Sequence, residues 1–240
     1  MALPKIDYPI FEIEGILGKS KPIKFRPFSV KEQKILMMAS ESSDIKEVVR
    51  GMQQIIQNCC LESIDAEKLS LSDIEIIFLH LRAKSVSENV DIYFKCNNII
   101  EDGSKCGMVI DISLDLLKDV KVESKQPSNT IWLNDKIAVK MKNPTLDVVR
   151  LIEMDDASIS DKIIALCLDK VIEEEEVHDM ETVTEEELVE FVGQIQTKDY
   201  EKMWEFIQNT PKIKYEEVHK CPRCSYEHRV KLEGLSDFFS

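Results

Sequence analysis

The residues best suited to chemistry in this 240-residue chain are cysteines. Two stand as Cys221-Pro-Arg-Cys224 within HKCPRCSYEHRV, and that short spacing suits a metal knuckle, in which two thiolates reach one ion. The other candidates are Cys96 and Cys106, with nine residues between them. Set side by side, CGMVIDISLDLL from Cys106 and CSYEHRVKLEGL from Cys224 share a pattern. Ile112 falls with Val230, Leu114 with Leu232, Asp115 with Glu233 and Leu117 with Leu235, while Lys95 before Cys96 falls with Lys220 before Cys221. Each unit reads as strand, cysteine turn, strand. Packed together, they would bring Cys96, Cys106, Cys221 and Cys224 to one point as a closed four-thiolate site for structural zinc. Soft thiolates match zinc, and the metal would staple two hairpins whose own apolar area is small.

Two features depart from the usual knuckle: the nine-residue spacing, and Ser225 where a glycine often follows such a turn. The plain competing reading is four thiols that bind nothing. His219 and His228 flank the second pair as substitute ligands, ranked below the cysteines because a histidine on a short strand is more often a surface side chain. No open coordination position is implied, so catalytic zinc is not expected. Elsewhere, His80 shares an apolar helix with Phe78 and Leu81 and reads as packed or surface. The run Glu173 to Glu176 reads as a solvated or partner-facing segment. The sequence has no Gly-rich phosphate loop and no paired nucleophile and base, so an enzyme is not expected.

The elements that position these residues follow from periodicity. Tyr8 to Gly15 and Pro22 to Phe28 read as an N-terminal hairpin. Ser29 with Glu32, Ser72 with Glu75 and Thr184 with Glu187 are capping-box patterns that open helices. A further helix spans 44–60, and others fall near 145–154, 158–169 and 198–209. Residues 121–129 read as a linker, TIWLNDKIAVKM as a hairpin turning at Asn134-Asp135, and 171–180 as a loop or edge strand. The expected fold is α+β: mostly helical, with the N-terminal β-hairpin and a zinc-ribbon-like β module made from two distant cysteine hairpins. Its parts are 1–87 (hairpin plus helices), 88–120 with 213–240 (ribbon), and 121–212 (inserted hairpin and helices). The 114 residues between Cys106 and Cys221 are too many for a structureless loop, so they form a folded insertion. The helices of 30–86 and 145–210 are expected to pack together while the ribbon joins their ends.

Charge narrows the partners. The formal net charge of −14 opposes binding to phosphate, so nucleic acid is an unlikely partner and a basic protein surface a better one. Residues 171–217 hold fifteen acidic and four basic side chains, which concentrates that charge in one segment. No apolar run reaches the roughly 18 residues of a membrane span, and the start MALPKIDYPI lacks the apolar core of a signal peptide. Seven cysteines are too few for a disulfide scaffold, which fits a reducing compartment.

KFRPFSVKEQKILMMASES (24–42), LHLRAKSVSENVDIYFKC (79–96) and the closing KCPRCSYEHRVKLEGLSDFF (220–239) resemble the baseplate protein family of T-even-type contractile-tailed phages. The resemblance implies a non-enzymatic component or assembly factor of the baseplate hub. Its implied partners are other phage baseplate or hub proteins, and its implied location is the host cytoplasm during assembly and the virion tail. Arg26-Pro27-Phe28 and Phe238-Phe239 are candidate aromatic anchors, or else part of the protein's own core. The alternative function is a zinc-ribbon nucleic-acid-associated factor, using Lys220, Arg223, Arg229 and Lys231 as a local basic patch.

Overall fold

The computed structural model describes residues 6–42, 44–151 and 158–239. Alternation in the first apolar segments gives β1 (Phe11–Ile13) and β2 (Ile23–Phe25), paired antiparallel. Three helices follow: α1 (Val30–Glu41), α2 (Ile45–Cys59) and α3 (Leu71–Ser85). Ser29 and Glu32 form the expected box on α1, with Glu32 accepting from the Ser29 amide at 2.8 Å. At α3 the cap lies two residues earlier than Ser72. Ser70 and Asp73 form the box, and Ser72 is buried within the first turn. Glu75 is thereby free to accept the Ile213 amide at 3.1 Å, tying α3 to the C-terminal segment. These elements close over Ile13, Ile23, Phe25, Ile56, Leu69 and Ile77.

A second core belongs to the middle of the chain. Strands β6 (Thr130–Trp132), β7 (Ile137–Met141), β8 (Leu168–Glu173) and β9 (Glu176–Asp179) form an antiparallel sheet in that order. Helices α4 (Leu146–Leu151), α5 (Ile159–Leu166), α6 (Glu185–Gly193) and α7 (Thr197–Gln208) pack with it around Val139, Ile164, Leu168, Val192 and Met203. The two helical groups keep separate cores, and the expected packing between them is made through α2 and α4. They meet at α4, whose Leu146 joins the first core and Val148 the second.

Between them lie β3 (Asn89–Lys95) with β4 (Val109–Asp115), and a sheet of order β11-β10-β5. The latter contains β11 (Glu227–Glu233), β10 (Lys212–Lys220) and β5 (Lys121–Glu123), and the short α8 (Gly234–Phe239) follows β11. The expectation of a mostly helical chain is corrected: among the described residues, eleven strands in four small sheets stand beside eight α-helices. Residues 121–123 looked like linker but pair with 212–214, and 168–173, read partly as helix end, pair with both β7 and β9. A short polar segment becomes a strand when a distant edge supplies its hydrogen bonds, which local periodicity does not record.

Candidate metal centre

Each cysteine pair sits at the end of a two-stranded ladder, and the two ladders are the same. In the first, seven pairs run from Asn89 opposite Asp115 to Lys95 opposite Val109. In the second, they run from Lys214 opposite Glu233 to Lys220 opposite Glu227. The turns match as well. The Cys96 amide donates to Met108 O and the Gly107 amide to Cys96 O. Correspondingly, the Cys221 amide donates to Tyr226 O and the Ser225 amide to Cys221 O. Gly107 (φ 64) and Ser225 (φ 59) both take the left-handed conformation that such a turn requires. At the far ends, Asp119 accepts from the Asp115 amide at 2.9 Å and Asp237 from the Glu233 amide at 2.8 Å. This last equivalence extends beyond the aligned residues; continuing the same offset past Leu117 and Leu235 would have found it.

The two units bring their thiols together. The ligand atoms of Cys96, Cys106, Cys221 and Cys224 all lie within 4.8 Å of one another, although 115 positions separate Cys106 from Cys221. Sulfurs on a tetrahedron around zinc, with bonds of about 2.3 Å, stand about 3.8 Å apart. Cys96 and Cys224 are separated by 3.6 Å and Cys106 and Cys221 by 3.8 Å, so the donor set fits that ion. Cys96, Cys106 and Cys221 are buried against Ile110 and Ile112 and only Cys224 is partly open, as a closed structural site needs.

Charge on the sulfurs is prepared unevenly. The Tyr226 amide and Asn98 Nδ2, 3.5 Å from the sulfur, pull the Cys224 thiol down to about 6, while burial pushes Cys96 up to about 12. The other three cysteines lie elsewhere and are inert by comparison: burial pushes Cys59 and Cys167 up to about 12 and raises Cys60.

The two histidines part company. His219 faces Tyr215, with Nε2 2.8 Å from the phenol oxygen. His228 Nε2 lies 3.2 Å from Cys96 Sγ, its ring held edge-on between Phe94 and Tyr226. Its place is beside the Cys96 sulfur, as a neighbour of the thiol cluster. Arg223 bonds Cys106 O at 2.9 Å, clamping one knuckle to the other. Neither Asn98 nor Arg223 stood out in the sequence as part of this centre.

Other candidate residues are used internally. Lys220 pairs with Glu227, Arg229 with Glu216 and Lys231 with Glu233, so three of the four basic residues of the patch have a carboxylate partner, while Arg223 is turned onto a carbonyl. Arg26 pairs with Glu32 at 3.0 Å, Phe28 packs on the first core, and Phe238 is buried, so these do not form an exposed aromatic surface. The Phe239 side chain lies outside the described residues. Burial and Lys84 lower the pKa of His80. Glu173 to Glu176 span the exposed β8–β9 turn. Among the described residues, no helix is long and apolar enough to cross a membrane.

A family model described as T4 bacteriophage base plate protein matches residues 8–240. No curated protein and no solved structure matches the chain.

Proposed function

Because the chain belongs to the T4 bacteriophage base plate protein family, we propose that it acts by binding other baseplate proteins, as a hub component or hub assembly factor, without turnover chemistry. In this reading Cys96, Cys106, Cys221 and Cys224 hold a structural zinc. The observation that carries it is the closed thiol cluster, built from two matched hairpins at opposite ends of a long insertion. A closed four-thiolate set supplies rigidity and leaves no coordination position for substrate. The chain's own residues supply the rest: the ladders orient the sulfurs, Arg223 and His228 brace them, and Ile110 and Ile112 exclude water. Such a centre fixes the relative placement of the N-terminal and C-terminal segments, which suits a subunit that docks between others.

The protein would act in the host cytoplasm during assembly and at the tail baseplate. Phage lacking it should fail to build complete baseplates, seen by electron microscopy of lysates. Normal baseplates without it would overturn the assignment. Mass spectrometry of virions beside assembly intermediates separates component from factor.

A further inference from the structure

The two cysteine hairpins differ at one edge. On β10 the edge facing away from β11 carries β5, which pairs with Lys212 to Lys214. The corresponding edge of β3 carries no strand among the described residues. Its hydrogen-bonding parity is fixed by two bonds: the Leu116 amide to Glu88 O and the Cys96 amide to Met108 O. Backbone groups alternate sides along a strand, so Val90, Ile92 and Phe94 face β4 while the amides and carbonyls of Asp91 and Tyr93 point outward. The strand has neither proline nor register shift to discourage an added strand. Tyr93, two-thirds exposed at 66%, stands at its centre, where an aromatic can anchor a contact.

Beside this edge lies a cavity of about 380 Å³, walled by Val90 to Tyr93, Leu114, Leu232 and Phe238. Arg82 of α3 also lines it, and its Nη1 is buried with no hydrogen-bond partner. A buried guanidinium nitrogen without an acceptor is costly, and its best partner is a carboxylate. The nearby Asp237 accepts the Glu233 amide, and no ion pair joins Arg82 to Asp91 or Asp237 among the described residues. The cavity is of mixed polarity, with Asp91 and Asp237 also in its lining, and an unpartnered guanidinium nitrogen beside an open strand edge can read a peptide through its backbone and one or two side chains.

We propose that the outer edge of β3 takes an extended segment of a partner protein as an added strand, one acidic side chain of which enters the cavity and pairs with Arg82. This rests on the reading of the chain as a binding subunit. The two fail separately, since baseplate loss in the deleted phage tests that reading alone.

The experiment is a selection of displayed ten-residue peptides on the full-length protein, followed by binding of the winners to variants. The enriched peptides should carry Asp or Glu, and their affinity should fall at least tenfold with Arg82→Gln. Tyr93→Pro removes an outward amide without touching the ladder to β4 and should abolish binding in a folded protein. Tyr93→Ala, which keeps that amide and removes only the ring, should weaken binding without abolishing it. In hydrogen exchange, the amides of Asp91 and Tyr93 should gain protection on binding of a selected peptide. Peptides that bind the Tyr93→Pro protein as tightly as wild type, or that leave those two amides unprotected, would overturn the proposal. So would sedimentation showing that this edge pairs with a second copy of the chain.

Discussion

The hairpin of Cys221 and Cys224 turns over two residues and that of Cys96 and Cys106 over nine, yet their sulfurs occupy equivalent places. The longer loop is folded on itself: Ile99 bridges Lys105, and the Cys106 amide bonds Asn98 O at 2.8 Å. That bond returns the chain to the place where the shorter turn already stands. Ligand geometry therefore comes from the strand ladder and the matched backbone bonds at the cysteines, and loop length is free to vary. The backbone cost also differs between the turns, because Gly107 takes its left-handed conformation easily and Ser225 against its side chain.

Removing the ligands of the short turn is the largest way to break this equivalence. Wild-type protein should carry one zinc per chain by elemental analysis. Cys221→Ser with Cys224→Ser should lose it, together with more than about 4 kcal/mol of stability in urea. Unchanged metal content and midpoint would mean that the matched hairpins hold together by packing alone.

Acid distinguishes the thiol centre from the polar link at the start of α1. Burial opposes the charge on Glu32, but its bonds to Arg26 and Ser29 outweigh this and bring the carboxyl down from 4.5 to about 2. A depressed carboxyl contributes stability above the unfolded value and loses it as pH falls from about 4.5 through about 2. Glu32→Gln should thus cost about 2 kcal/mol at pH 7 and progressively less below pH 4.5, read from urea midpoints. Metal release by protonated thiols should come at higher pH and leave this link in place, as zinc content along the same titration would reveal.

The turn residues give a smaller, reciprocal test. Gly107→Ala should destabilise by about 1 kcal/mol and Ser225→Gly should stabilise by about half that or more, with zinc retained in both. Equal effects of the same sign would show that the two turns are not equivalent.

The smallest effect on stability is expected at the β8–β9 turn, away from both hairpins. Replacing Glu173 to Glu176 by Gln should shift stability by no more than about 0.5 kcal/mol, since the Lys136–Glu174 pair is exposed. It should nevertheless slow association with a basic baseplate partner and flatten its salt dependence, measured by stopped flow. An unchanged rate would return the segment to plain solvated surface.

The sequence by itself determined the four thiols, the strand-turn-strand unit on each side of them, and the helix starts at Ser29 and Thr184, because ligand type, alternation and capping are local properties. It did not separate Ser70 from Ser72 as the cap of α3, since both have an acidic residue three positions on. That choice belongs to the fold, where Asp73 completes the box and Glu75 meets the Ile213 amide from 138 positions away. The same holds for β5 on β10, for His228 beside Cys96, and for the unpaired nitrogen of Arg82. Periodicity records which face a residue shows, but not which distant edge or donor will meet it. Only the tertiary structure decided those meetings, because each depends on surfaces that come together after the local elements have formed.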